Sequence, residues 1–261
     1  MGNYMWREVL VPELCFTANT AGSTVKLTKN NSPTAVTLET STDGTNWNTY
    51  TIWTTITLSN IWDRVYWRNT SETTTSFSTA RNHYYKFEMT GSVAWSWDIT
   101  SLLNKNLTTT LVDNCFYYLF YQCSSLTAAP QLPATTLAES CYSSMFSNCT
   151  WLTSVPELPA TNLAKWCYNW MFNACTWLTS IPKLPATALA EGCYQVMFAS
   201  CSNIRLSTSQ TWIYQTAYRI PYVWTGVTAT NAFYGMFDAT WWTFTWAPTI
   251  NTTYYTSNTV I

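Results

Sequence analysis

Charge is what this chain has least of: 12 Lys and Arg and 13 Asp and Glu among 261 residues make 10%, where ~25% is usual. The net charge is −1, too small to build the basic field that attracts nucleic acid or an anionic membrane. Thr, Ser and Asn must carry solubility instead. Histidine is also nearly missing, with His83 alone, and this works against metal sites and general-base chemistry. No run approaches the ~18 apolar residues of a membrane span. No phosphate loop, H-E-x-x-H or G-x-S-x-G motif occurs, and no spacing singles out two of the scattered carboxylates as an acid–base pair. The expectation is therefore a chain that is not an enzyme, with no cofactor, no metal, no nucleic-acid partner and no membrane insertion. The opening stretch carries acidic Glu8 and Glu13 and no apolar core, so it does not read as a signal peptide.

What the chain does have is a repeat. From Leu111 to Ser207 a unit of 26 residues is written four times, marked by Cys115, Cys141, Cys167 and Cys193, and again by Cys123, Cys149, Cys175 and Cys201. Between the cysteines stand Tyr142, Met145 and Phe146, with copies at Tyr168, Met171, Phe172 and Tyr194, Met197, Phe198. Self-similarity at such a period implies units that bury their apolar faces by stacking on one another. Leu163, Cys167, Met171 and Cys175 lie four apart, which reads as a helical stripe, with Pro159 and Thr161 suited to a helix start. A brief strand fits Leu152 to Val155, ended by Pro156 and Pro159.

The pattern Cys-Tyr-x-x-Met-Phe-x-x-Cys-x-x-Leu-Thr-x-x-Pro resembles the cysteine-containing leucine-rich repeats of bacterial surface proteins of the BspA-like type. The resemblance covers residues ~107–207, and weakly the tail to Phe237, where Ala232 replaces the first cysteine. It implies a mixed α/β fold: a solenoid of helix-plus-short-strand units at the cell surface or outside the cell. Such a frame hosts many functions.

Nine cysteines would suit a disulfide scaffold, but on a helix two residues eight apart lie ~12 Å apart, beyond a bridge. Helix neighbours at ~8–10 Å are also too distant. The cysteines therefore read as a ladder of small, reduced, buried hydrophobes. No C-x2-C spacing supports zinc.

Before the repeats, residues 1–98 read as an antiparallel β-sandwich. Apolar alternation runs through 23–29 and 34–39, with Asp43-Gly44 as a hairpin turn. Asp43, Asn46 and Asn48 are explained by that turn rather than by calcium. Residues 99–207 form the four-unit solenoid, and 208–261 a degenerate repeat and C-terminal cap. The switch in apolar period near 95–107 predicts two separate cores.

Glycine is scarce as well, with 7 Gly against 16 Trp, although glycine is normally ~7% of residues. Trp151 and Trp177 share a column with Ser125 and Asn203, and Trp166 shares one with Asn114, Ser140 and Gly192. Trp62, Trp95, Trp97, Trp241 and Trp242 also fall at turns or at the junction. Two explanations compete. Either UGA codons meaning glycine have been printed as tryptophan, or the tryptophans are exposed platforms for sugar rings or a protein partner.

The functional expectation is a surface or adhesive binding module that recognises a protein or a glycan; the alternative is a structural spacer with no ligand of its own. On the strand side, Thr127, Thr153 and Thr179 form one row, and Gln131, Glu157 and Lys183 form a second that varies in charge. Trp166 and Trp170 offer an alternative aromatic face.

Overall fold

The computed structural model describes residues 13–31, 33–71, 73–96, 98–103, 110–240 and 247–261. The opening twelve residues, Trp97 and residues 104–109 of the junction, and the Trp241-Trp242 pair lie outside the described residues.

The first part is two antiparallel sheets. One has the order β4 (Asn48–Thr49), β3 (Leu38–Ser41), β6 (Arg64–Asn69), β1 (Leu14–Ala18), β9 (Val93–Ser96). The other runs β5 (Ile56–Leu58), β2 (Ser23–Asn30), β8 (His83–Thr90), β7 (Ser78–Ala80). Period-two alternation sends Val25 and Leu27 of β2 and Phe87 of β8 inward. They meet Phe16 of β1 and Trp67 of β6, with ring centroids 5.0 Å (Phe16–Phe87) and 5.1 Å (Trp67–Phe87) apart. In the loop after β3, the Asp43 carboxylate accepts from the backbone N–H groups of Thr45 (2.8 Å) and Asn46 (2.7 Å). These bonds hold its carboxyl below the usual range.

The repeats correct the sequence-based expectation. They contain no α-helix, and the one helical element among the described residues is a single 3-10 turn, Ile99–Leu102. The mixed α/β leucine-rich-repeat solenoid of helix-plus-strand units is therefore overturned in favour of a nearly all-β architecture. The segment expected as a helix is a run of tight turns. Alternate residues donate to the carbonyl three back, as Tyr117 N to Asn114 O (3.0 Å) and Cys123 N to Phe120 O (3.0 Å). The residues between them donate sideways to the following unit: Asn114 N to Glu139 O (2.8 Å), Phe116 N to Cys141 O (2.8 Å), Phe120 N to Met145 O (3.0 Å). An α-helix satisfies its donors internally; here half of them bind one coil to the next. Every fourth residue takes positive φ, as at Asn114 (56°), Tyr118 (62°) and Gln122 (62°). The stretch from Leu152 to Val155 contributes an isolated bridge, Ala128 to Ser154, rather than a strand.

Stacking in register produces ladders. Tyr142, Tyr168 and Tyr194 lie 5.9 Å apart with rings within 7° of parallel. Phe146, Phe172 and Phe198 lie 5.5 Å apart. A fifth coil extends both columns through Phe233 and Phe237, and Ala232 sits buried where the earlier coils have cysteine. Between the fourth and fifth coils the chain leaves to form β11 (Leu206–Ser207) and β12 (Thr216–Arg219), which pair with β13 (Thr253–Thr256) as a sheet β11-β13-β12. The last strand, β14 (Thr259–Val260), runs parallel to β10 (Ser180–Ile181) in the third coil.

The ladders also run backward into the sheets. Phe87 of β8 stacks on Phe120 at 5.3 Å and 11°, and Phe77 on Phe116 at 6.4 Å. Phe77 N donates to Cys115 O and Phe87 N to Leu119 O, both at 2.8 Å. One hydrophobic cluster therefore reaches from Leu14 to Tyr254, and the expectation of two separate cores fails. The edge of the β5-β2-β8-β7 sheet serves as the template on which the first coil lies.

Candidate functional site

The inward side of each coil is fixed by packing, so chemistry must come from the outward side. All nine cysteines are free and buried. The second column is hydrogen-bonded as well: the Sγ atoms of Cys149, Cys175 and Cys201 donate to the carbonyls of Phe120 (3.0 Å), Phe146 (3.2 Å) and Phe172 (3.0 Å). Burial pushes the thiols up, to about 12 for Cys123, Cys141, Cys193 and Cys201. Such thiols are inert as nucleophiles and metal ligands. Among the described residues no three His, Cys, Asp or Glu side chains gather as a metal site, and no helix is long and apolar enough to cross a membrane.

The threonine row is built into the frame. Thr153 Oγ1 donates to Thr127 O and Thr179 Oγ1 to Thr153 O, each at 3.1 Å, and the backbone N–H of each residue reaches the same carbonyl. Thr127 Oγ1 accepts from Asn19 Nδ2 at 3.3 Å. Gln131, Glu157 and Lys183 are exposed. Glu157 and Lys183 border a shallow pocket of about 180 Å³ with Ile261, whose carbonyl accepts from Lys183 N at 2.7 Å. The Lys183 ammonium lies 5.4 Å from the Tyr222 ring. Gln131 sits further along, bridged to Asp98. Glu157 and Lys183 thus border one pocket, with the C-terminal strand alongside the third coil.

The other face is deeper. Outward positions read Tyr117, Ser143, Asn169 and Gln195 down one column, and Tyr121, Ser147, Asn173 and Ala199 down another. Small residues between large ones leave a trough over the second coil of about 330 Å³. Tyr117, Tyr118 and Tyr121 form one wall, Asn169, Trp170 and Asn173 the other, and Ser144, Ser147 and Asn148 the floor. Arg81 stands at the rim. Of the expected aromatic face, Trp170 lines this trough, while Trp166 lies beside it under Lys165 (4.1 Å from the ring) and Arg81 (6.0 Å). Trp151 and Trp177 border a separate apolar groove with Thr127. Sequence reasoning missed the site because a helix places 117, 118 and 121 on one face without the gap that the small residues of the next coil open beside them. The column Tyr-Ser-Asn, read as outward neighbours, carried the signal.

A β-rich stack of non-helical coils with an aromatic, charge-poor trough is the class these features define. No family model, curated protein or solved structure matches the chain.

Proposed function

We propose that this chain is a non-enzymatic binding module, acting at a cell surface or outside the cell, that recognises a protein or a glycan through an outward face of its coils. The observation that carries this reading is the contrast between columns. Inward positions repeat Cys, Tyr or Phe, and Phe almost unchanged, whereas adjacent outward positions change size and chemistry from coil to coil. A rigid frame with substitutable outward residues is what recognition requires. The sequence resemblance to bacterial surface repeats supports the location, although not the helical fold it implied.

The test is attachment of the full chain to a panel of immobilised oligosaccharides and structural proteins. Loss of attachment in Tyr118→Gly places recognition in the trough. Loss in the pair Glu157→Ala and Lys183→Ala, with an unchanged melting temperature, places it on the strand side. Attachment to nothing in the panel would favour the spacer reading, which draws on ladders continuous from β8 to the fifth coil.

A further inference from the structure

We propose that the trough over the second coil is a saccharide site, taking one uncharged pyranose ring against its tyrosine wall. This rests on the binding-module reading and narrows it to one ligand class and one place.

The trough is one coil wide. Coils neighbour each other at about the ~4.8 Å of paired strands, so its walls, two coils apart, stand ~10 Å from one another. That width admits a flat six-membered ring and excludes a helix or a folded loop. Its volume, about 330 Å³, lies at the small end of the ~300–1,000 Å³ of small-molecule sites.

The wall is preassembled. Tyr117 and Tyr118 have ring centroids 4.2 Å apart, Tyr118 and Tyr121 4.5 Å, and Tyr84 of β8 backs Tyr118 at 5.1 Å. Rings held by one another lose little entropy on binding and present a hydrophobic face with a polar edge. The C–H face of a pyranose is the natural complement.

The polar groups also fit. Ser144 is only 7% exposed and lines the floor, and its hydroxyl is not among the atoms sealed away without a partner, so it opens to the trough. A hydroxyl facing a cavity can exchange its water for a ligand hydroxyl. Across the trough, the Nδ2 groups of Asn169 and Asn173 donate to the carbonyls of Gln195 (3.3 Å) and Ala199 (3.1 Å), which fixes both side chains. The Asn169 Oδ1 is left as an oriented acceptor. A sugar hydroxyl both donates and accepts, so it satisfies a serine hydroxyl and an amide oxygen together. Among the described residues no carboxylate lines the trough and Arg81 is its one cation, which is too little charge for a phosphorylated or polyanionic ligand.

The backbone supplies a clean experiment. Tyr118 (φ 62°), Ser144 (φ 55°) and Trp170 (φ 56°) all occupy the left-handed region, and the equivalent residue of the fifth coil is Gly235. Glycine at any of the three removes a side chain while relieving the backbone, and a melting temperature taken for each variant separates lost binding from lost folding. The full chain is titrated calorimetrically with the tetrasaccharides of β-1,4-glucose, β-1,4-N-acetylglucosamine and β-1,4-mannose. Binding of at least one, weakened ~10-fold or more in Tyr118→Gly and measurably in Ser144→Gly, is expected. Trp170→Gly should stay within ~3-fold, because the tyrosine wall remains. Binding that survives Tyr118→Gly would overturn the proposal. So would a response to inorganic phosphate or a heparin oligosaccharide alone, abolished by Arg81→Ala. If no saccharide binds while the chain attaches to an immobilised protein, the saccharide site fails and the module reading stands. If neither binds, both fail.

Discussion

Among the described residues, four tryptophans sit where an L-residue is strained: Trp53 (φ 79°), Trp62 (φ 73°), Trp166 (φ 55°) and Trp170 (φ 56°). In that region Cβ approaches the neighbouring carbonyl, at a cost of ~1–2 kcal/mol that glycine avoids. The other coils respect this at the Trp166 column, with Asn114, Ser140, Gly192 and Asn231, types that tolerate the conformation or are small. The ring of Trp166 also fills the space over Gly192, where an added Cβ would lie 2.3 Å from its Cδ1. Trp62 is the cleanest case for measurement, being 71% exposed and so giving up little packing. Trp62→Gly is expected to raise unfolding free energy by ~1 kcal/mol in a urea titration, and Trp62→Ala by less. A loss of stability in Trp62→Gly would show that the indole contributes more than its backbone costs. Peptide masses from the native organism at 62, 166 and 170 decide separately between the codon reading and real tryptophan.

In the coil, as the structural element, a period of four was legible and was misassigned. An α-helical stripe drifts by ~40° for each step of four residues, so over the two steps of one coil a helix and a run of four-residue turns predict nearly the same buried pairs. Cys115-Phe116, Leu119-Phe120 and Cys123 keep that interval without drift, and all five are buried. Turns of four residues, each closed by a left-handed residue, keep such pairs pointing inward; Asn114 and Asn148 were the visible sign, since asparagine tolerates that conformation. The stacking of units and the inward columns could be read from periodicity, because both depend on apolar burial. The sideways hydrogen bonding could not, because backbone donors leave no mark on side-chain identity. The tyrosine column carries a second consequence. Tyr142 Oη and Tyr194 Oη are buried without a partner, and the same column holds Phe116 and Phe233 at its ends. Tyr142→Phe and Tyr194→Phe should each keep the ring stack and remove an unsatisfied hydroxyl, raising stability by up to ~1 kcal/mol. A lower melting temperature in either variant would mean that the hydroxyl is satisfied in solution.

Across the whole molecule the ladders tie the sheets and the coils into one unit, and the buried thiols make that unit sensitive to alkali. Cys123, Cys141, Cys193 and Cys201 are raised by burial from a usual value near 9 to about 12, while in the unfolded chain they ionise near ~8.5. Between those values the unfolded chain has released protons that the folded chain still holds, so unfolding free energy falls as pH rises. The slope is ~1.4 kcal/mol per pH unit for each thiol involved. Stability contributed by these groups is complete below the unfolded value and is lost as pH climbs toward 12. The expected melting temperature is therefore level from pH 6 to 8 and drops steeply above ~9. Folded protein at pH 8 should resist a thiol reagent, and unfolding without reductant should expose nine reactive thiols, the number present as free cysteines. Because Phe77 and Phe87 continue the columns of Phe116 and Phe120, Cys15 in β1 should become reactive in the same transition as Cys167 in the third coil. Labelling of Cys15 at a distinctly lower pH or denaturant concentration would divide the molecule into independently folding parts. A single midpoint for both would establish that the β-sheets and the coils stand or fall together.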